Sequence, residues 1–333
     1  MANATVSEGI ERSAQGINTF LNFFEPNDAS FGLNNIEEGI LLANGFTVRM
    51  LAVAGHKVHY VDGTQSSIPF HARADGGHVF EDTRPENPGG WIYVSNSEMG
   101  NPGEGGVGAL TFNSHGEVVD YKMVLENTVM NCNGGATHFG AWISCEEDFA
   151  SLDGKAWQVD PTGQRQPRPI TLGSDGGAWE SFTADLRNPS RPYFYLTEDL
   201  SNGAIQRFTP DNPNADPWEM LLGSGTIDYL FLSPNLLDSN RGSFRFTTNK
   251  DSARQNARSF YPNTEGMDIN GNFMYFVSKV DKTMFTLNLN GGTYKRSSTQ
   301  TGLFDGQPDQ LRTVLGTEPG GATRSSKMLY YTE

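Results

Sequence analysis

Cys132, Glu146 and Glu147 bracket one short segment of this chain, and Glu180, Glu198 and Asp199 bracket another. Each segment reads as two apolar strands joined by a tight break, Phe139-Gly140 in the first and Arg187–Pro192 in the second. Antiparallel strands joined by a turn return the chain to its starting edge, so residues just before and just after each hairpin share one end of the sheet. Acids and a thiol therefore gather on one face, a donor set suited to a metal ion. Cys132 and Cys145, 13 residues apart, could also face each other across the hairpin. A thiol bracketed by glycines and carboxylates is as readily a metal ligand.

The strands that position these residues recur along the chain. Tyr93-Val94-Ser95, Trp142-Ile143-Ser144, Tyr195-Leu196-Thr197, Phe276-Val277-Ser278 and Tyr330-Tyr331-Thr332 are aromatic–aliphatic–hydroxyl strand ends, 49, 53, 81 and 54 residues apart. Most of these steps match one four-stranded blade, which points to a propeller. The long step contains the polar stretch Asp238–Asn256, read as an inserted loop. With the weaker pattern at Thr47–Val53 and Lys57–Val61, the expectation is an all-β, six-bladed β-propeller closed by strands from both termini. The 38 glycines, 17 prolines and turn signals such as Asn270-Gly271-Asn272, Asn290-Gly291-Gly292 and Asp160–Gly163 agree with it. Apolar residues approach helical spacing at Val6–Phe24, so residues 1–30 read as an N-terminal helix or arm and residues 31–333 as a single propeller domain.

A net charge of −15, from 24 basic and 39 acidic residues, argues against nucleic acid or an anionic membrane surface as partner. No stretch reaches transmembrane length. Residues 1–30 lack the basic-then-apolar order of a signal peptide, which leaves the compartment secreted or periplasmic if a signal has been removed and cytoplasmic otherwise. His56, His59, His71, His78 and His115 show no metal spacing, and His138 reads as structural. Gly105-Gly106 and Gly134-Gly135 read as turns rather than phosphate cradles, because no helix follows them.

The run Asn131-Cys132-Asn133-Gly134-Gly135-Ala136-Thr137-His138-Phe139-Gly140-Ala141-Trp142-Ile143-Ser144-Cys145-Glu146-Glu147 resembles the signature of PhoX-type alkaline phosphatases, roughly N-C-x-G-G-x-T-P-W-G-T-W-x-S-C-E-E. Val94–Glu98, Tyr195–Asp199, Thr264-Glu265-Gly266 and Phe304–Asp309 resemble further segments in that family's order, so the resemblance spans residues 91 to 333. It implies a six-bladed propeller with iron and calcium at its central mouth, acting on a small-molecule phosphate ester. Carried over, Cys132 is an iron ligand, Glu98, Glu198 and Glu265 are carboxylate ligands, and Glu147 and Asp309 are further candidates. Hard oxygen donors suit calcium and ferric iron, and a thiolate favours iron at its own position.

The chain also departs from the pattern. Asn263 stands where the family has an arginine, Trp179 and Ser97 replace histidines, and the chain is short for the family. With no arginine at 263, Arg207 is the candidate phosphate clamp, and Glu265, Asn263 and Arg207 form the expected catalytic set. Two alternatives stay open: a non-catalytic metal-binding propeller serving as a binding or assembly module, and a calcium-dependent lactonase, whose blade signature Pro308-Asp309-Gln310-Leu311 also resembles.

Overall fold

A computed structural model describes residues 35–37, 40–42, 49–300, 306–317 and 323–332. Short hairpins come first, β1 (Asn35–Glu37) with β2 (Ile40–Leu42) and β3 (Lys57–His59) with β4 (Gln65–Pro69). Two antiparallel four-stranded sheets follow. One is β5 (Ala74–Glu81), β6 (Trp91–Ser97), β7 (Gly105–Phe112) and β8 (Val118–Thr128); the other is β9 (Asn131–Ala136), β10 (Trp142–Glu146), β11 (Ala156–Val159) and β12 (Arg168–Pro169). The third blade contains β13 (Trp179–Asp185), β14 (Tyr193–Glu198), β15 (Gln206–Pro210) and β16 (Gly225–Pro234), with helix α1 (Pro217–Met220) between the last two. After β17 (Arg241–Thr247) and helix α2 (Lys250–Phe260) comes the fourth blade, β18 (Thr264–Asn270), β19 (Phe273–Ser278), β20 (Thr283–Asn288) and β21 (Thr293–Ser298). A hairpin of β22 (Leu311–Thr317) and β23 (Thr323–Tyr331) ends the described chain.

Each blade pairs its strands in sequence order, so its first strand lies at one edge. The first strands β5, β9, β13, β18 and β22 meet around one axial cavity of about 310 Å³, to which they contribute Gly77, Gly134, Ser181, Met267 and Leu311. Radially arranged four-stranded sheets around a central channel make this a β-propeller. Four complete blades and the β22–β23 hairpin stand among the described residues. The N-terminal helix or arm expected over Val6–Phe24 lies outside them.

The repeated aromatic–aliphatic–hydroxyl triplets fall on the second strand of each unit, β6, β10, β14, β19 and the end of β23. In the four complete blades these strands are flanked by neighbours on both edges and largely buried, which favours such residues. Phe276 and Phe285, wholly buried on β19 and β20, stack with ring centroids 4.7 Å apart. Burying each ring contributes about 1.5–3 kcal/mol.

Two local expectations are corrected. Asp238–Asn256 is not a loop. It contains all of β17, which adds a fifth strand to the third blade, and the opening turns of α2. Helix α2 starts at Asn249, whose side chain accepts from Ser252 N, and it buries Ala253, Asn256 and Ala257 on one face. Small and polar residues at those positions conceal the core-facing stripe. The buried Asn256 amide is satisfied by the backbone of Leu232, accepting from its N at 2.8 Å and donating to its O at 2.9 Å. Gly105-Gly106 and Gly134-Gly135 are not turns either; they lie within β7 and β9. A Cβ at Gly135 would run into the Phe182 carbonyl of the next blade, so glycine there is what lets the two innermost strands approach.

Candidate metal centre

The first strand of each complete blade carries a β-bulge at the same place. Asp75 and Gly76 stand opposite Asn96 alone, Cys132 and Asn133 opposite Cys145, Glu180 and Ser181 opposite Thr197, and Glu265 and Gly266 opposite Val277. A bulge breaks the alternation of side chains and re-aims one of them. Here the first residue of each bulged pair is an acid or the thiol. The final hairpin repeats the motif with Asp309 and Gln310 against Thr332: Asp309 N donates to Thr332 O, and Thr332 N donates to Gln310 O, each at 2.9 Å. Two residues beyond the partner of each bulge stand Glu98, Glu147, Asp199 and Lys279. Each blade thus offers one group from its bulge and one from the end of its second strand.

Bulging frees backbone groups that must find partners. Some partners are the residues opposite the bulges, which reach across to a neighbouring blade. Asn96 donates to the carbonyls of Cys132 and Asn133 at 3.0 and 2.8 Å, and Thr197 Oγ1 donates to the Glu265 carbonyl at 2.9 Å. Gly76 packs so closely on Asn133 that a Cβ there would meet its Cα at 2.7 Å. The bulges are therefore locked against one another.

Three overlapping groups result, each with one donor atom per residue and all such atoms within 4.8 Å: Glu98, Cys132 and Glu147; Glu147, Asp199 and Glu265; and Glu180, Glu265 and Asp309. Glu180, Glu265, Asp199, Glu147 and Cys132 are all buried, while Glu98 and Asp309 are partly open. Lys279 Nζ lies 2.8 Å from Asp199 Oδ2 and also contacts Glu265 Oε1. Asn263, held at a φ of 51°, donates from Nδ2 to Asp199 Oδ1 at 2.8 Å. Gln310 Nε2 donates to Glu180 Oε1 at 2.8 Å and to Asp309 Oδ1 at 2.9 Å. Glu180 Oε2 is buried with no hydrogen-bond partner among the described residues.

Burial and mutual repulsion govern the charges. Burial, then Asp309 and Asp75 among its neighbours, push the Glu180 carboxyl up to about 8. Burial and the nearby Glu180 and Asp199 charges drive Glu147 and Glu265 well above the carboxylate range, and burial lifts Asp75 to about 6. The Cys132 thiol is pushed up by burial and then by Glu180 and Glu147. Asp199 is the exception: burial raises it, but the Lys279 and Asn263 contacts together outweigh that and lower it. Lys279 is correspondingly raised, its burial more than offset by Glu265 and Asp199. Burial and mutual repulsion thus oppose the joint ionisation of Glu147, Glu180 and Glu265, and a multivalent cation is what would let them ionise together.

Of the residues singled out in sequence, Glu98, Cys132, Glu147, Glu265 and Asp309 are brought together here. Glu198 is not. Successive side chains at a strand end point to opposite faces, so Asp199 turns to the cluster while Glu198 turns to helix α2 and accepts from Arg254 Nη2 at 2.6 and 2.9 Å. Arg207 is also elsewhere: it sits on β15, the third strand out, bonded to Asp228 at 2.8 and 2.5 Å and stacked between Tyr193 and Phe246. Glu146 points into its own blade, where it accepts from the backbone of Val129 and Lys155. Cys145 is buried in the apolar core, and the two thiols are free. Glu180 and Asp199, which the hairpin layout places at this end of the sheet, join the cluster although the family resemblance assigns them no role, and sequence reading missed Asp75 and Lys279 altogether; the shared signal is position relative to the second-strand triplet, visible once the bulges are allowed for.

No protein-family model matches the chain, and no curated protein matches it. Among solved structures, it resembles Pseudomonas fluorescens PhoX in complex with vanadate, a transition state analogue, with a TM-score of 0.57 and 12% identity over 84% of this chain and 80% of that one. A Synechocystis apocarotenoid oxygenase mutant gives a TM-score of 0.42 at 10% identity over 84% and 62% of the two chains. A putative 6-phosphogluconolactonase from Bacteroides fragilis gives 0.38 at 10% identity over 78% and 69%. The likeness to PhoX is one of fold: the chain is a β-propeller whose axial mouth carries a cluster of acids and one thiol.

Proposed function

We propose that this chain is a metal-dependent phosphomonoesterase of PhoX type, with calcium and iron held at the propeller mouth. The observation that carries the reading is the convergence of Cys132 and Glu98, Glu147, Glu180, Asp199, Glu265 and Asp309 from successive blades. The donor set fits such ions, since the unpartnered Glu180 Oε2 and the raised acids are what a buried multivalent cation would satisfy. Cys132 would hold iron, and the carboxylates calcium or iron. When bound, the ions would supply Lewis acidity and positive charge toward a phosphate group.

The remaining tasks fall to residues of the chain. Asn263 fixes the Asp199 carboxylate through one amide hydrogen bond, a positioning role in place of the arginine found in the resembling motif. Gln310 holds Glu180 and Asp309 in register and closes the cluster toward the axial cavity. Arg73, exposed at the rim and 2.8 Å from Glu98, is placed to meet an incoming phosphate. The fold likeness to PhoX bound to vanadate is consistent with this reading.

The test is metal analysis with p-nitrophenyl phosphate hydrolysis at alkaline pH. The expected result is bound calcium and iron, with turnover that requires them and is lost in Glu265→Gln. One observation favours a second reading, a metal-binding propeller without catalysis: the residue in the clamp position, Asn263, is uncharged and engaged with Asp199. Metal bound in full with no turnover would decide for that reading.

A further inference from the structure

Lys279 occupies a ligand position. It stands two residues beyond the partner of its bulge, the place that holds Glu98, Glu147 and Asp199 in the three preceding blades. Its Nζ contacts both Asp199 and Glu265, two of the three members of the middle group. The third member, Glu147, has Lys279 as the favourable charge near it. Among the described residues, the other two groups, Glu98 with Cys132 and Glu147, and Glu180 with Glu265 and Asp309, contain no lysine contact except through the shared Glu265. One buried carboxylate oxygen, Glu180 Oε2, still points to a missing partner in the last of these.

We infer that Lys279 is a built-in cation, whose ammonium group takes the place of one metal ion in the Glu147–Asp199–Glu265 group and limits the number of ions the mouth accepts. A lysine ammonium is compact and presents three donors on a flexible stem, so it can sit among carboxylates much as a small cation does. An acid at this position would add a ligand; a lysine both removes a ligand and supplies charge. The inference rests on the metal-centre reading above and narrows it: metal binds on the two flanks of Lys279, and the middle group is already neutralised.

The experiment counts calcium bound per chain, by titration calorimetry and by elemental analysis after gel filtration, for wild type, Lys279→Met and Lys279→Gln purified in calcium throughout. The expected result is one additional ion per chain in both variants, with the wild-type ions retained. An unchanged count and affinity in variants of a wild type that does bind calcium would overturn the role of Lys279 and leave the metal centre standing. Calcium bound by none of the three proteins would overturn both. Reductive methylation of wild type, read by mass spectrometry, tests the same point without a substitution. Lys279 is expected to be protected both with and without calcium. Labelling of Lys279 in the loaded protein at the rate of exposed lysines would mean that metal displaces it, contrary to the inference.

Discussion

Loading the mouth with metal should raise the melting temperature by an amount that the geometry sets. The flanking groups, Glu98 with Cys132 and Glu147, and Glu180 with Glu265 and Asp309, share no residue and are counted as two sites. A site filled at about 100 times its Kd contributes about 2.7 kcal/mol, and two give roughly 5 kcal/mol. For a chain of 333 residues, an unfolding entropy of about 2.1 cal/mol/K per residue sums to roughly 0.7 kcal/mol/K, so the shift is roughly 8 °C. The assay is differential scanning calorimetry of protein stripped with a chelator, and of the same protein reloaded with calcium and iron at 100 times the measured Kd. Glu180→Gln should reduce the shift by about half, because it removes a member of only one flank. Stripped and loaded proteins that melt within about 1 °C of each other, after verified removal and reloading, would refute the reasoning.

Three further outcomes follow from contacts described above. Arg254→Ala should cost about 3 kcal/mol by urea unfolding, because it leaves the buried Glu198 carboxylate uncompensated, yet metal content should match wild type. Asn263→Arg should not restore a phosphate clamp; it should lower the urea midpoint through a loss of roughly 1–2 kcal/mol of unfolding free energy, because residue 263 has positive φ and its amide holds Asp199. An unchanged midpoint would count against backbone conformation as the constraint at 263. His71, whose ring bonds Tyr121 Oη and Ser95 Oγ, is lowered by burial to about 4. The unfolded chain therefore takes up that proton first, so stability should fall as pH drops from about 6.5 toward 4, by about 3 kcal/mol in full. His71→Gln should flatten that segment of the pH profile of urea unfolding.

The propeller was legible because its second strands are buried on both faces and so repeat an aromatic, an aliphatic and a hydroxyl residue at blade spacing. The acids after those strands were legible for the same reason: Glu98 and Glu147 follow a pattern the eye can count from. The acids before them were harder to read. A bulge inserts one residue and breaks period-two alternation, so Asp75 beside two glycines reads as loop, and Glu180 behind Trp179 reads as the lead-in to a strand. At the end of β14 two acids are adjacent, and only the direction of the strand separates Asp199, which faces the mouth, from Glu198, which faces Arg254. Helix α2 escaped notice because its buried stripe is alanine and asparagine, residues whose burial depends on the partner strand rather than on their own hydrophobicity.

Strand β17 has a consequence beyond the third blade. Its residues Arg241, Gly242 and Ser243 pair with Lys295, Tyr294 and Thr293 of β21, so the outer edges of the third and fourth blades are joined by backbone hydrogen bonds into a nine-stranded sheet. Propeller blades ordinarily meet through side chains, and such seams can separate singly. Here one seam is stitched at the rim as well as packed at the axis, so the two blades should open as a single cooperative unit, with their slowest-exchanging amides sharing one opening free energy. Asp199, Glu265 and Lys279 all belong to that unit, whereas Glu98, Cys132 and Glu147 belong to blades without such a stitch among the described residues. One half of the mouth is thereby backed by a single continuous sheet, and local opening of the mouth should begin in the other half.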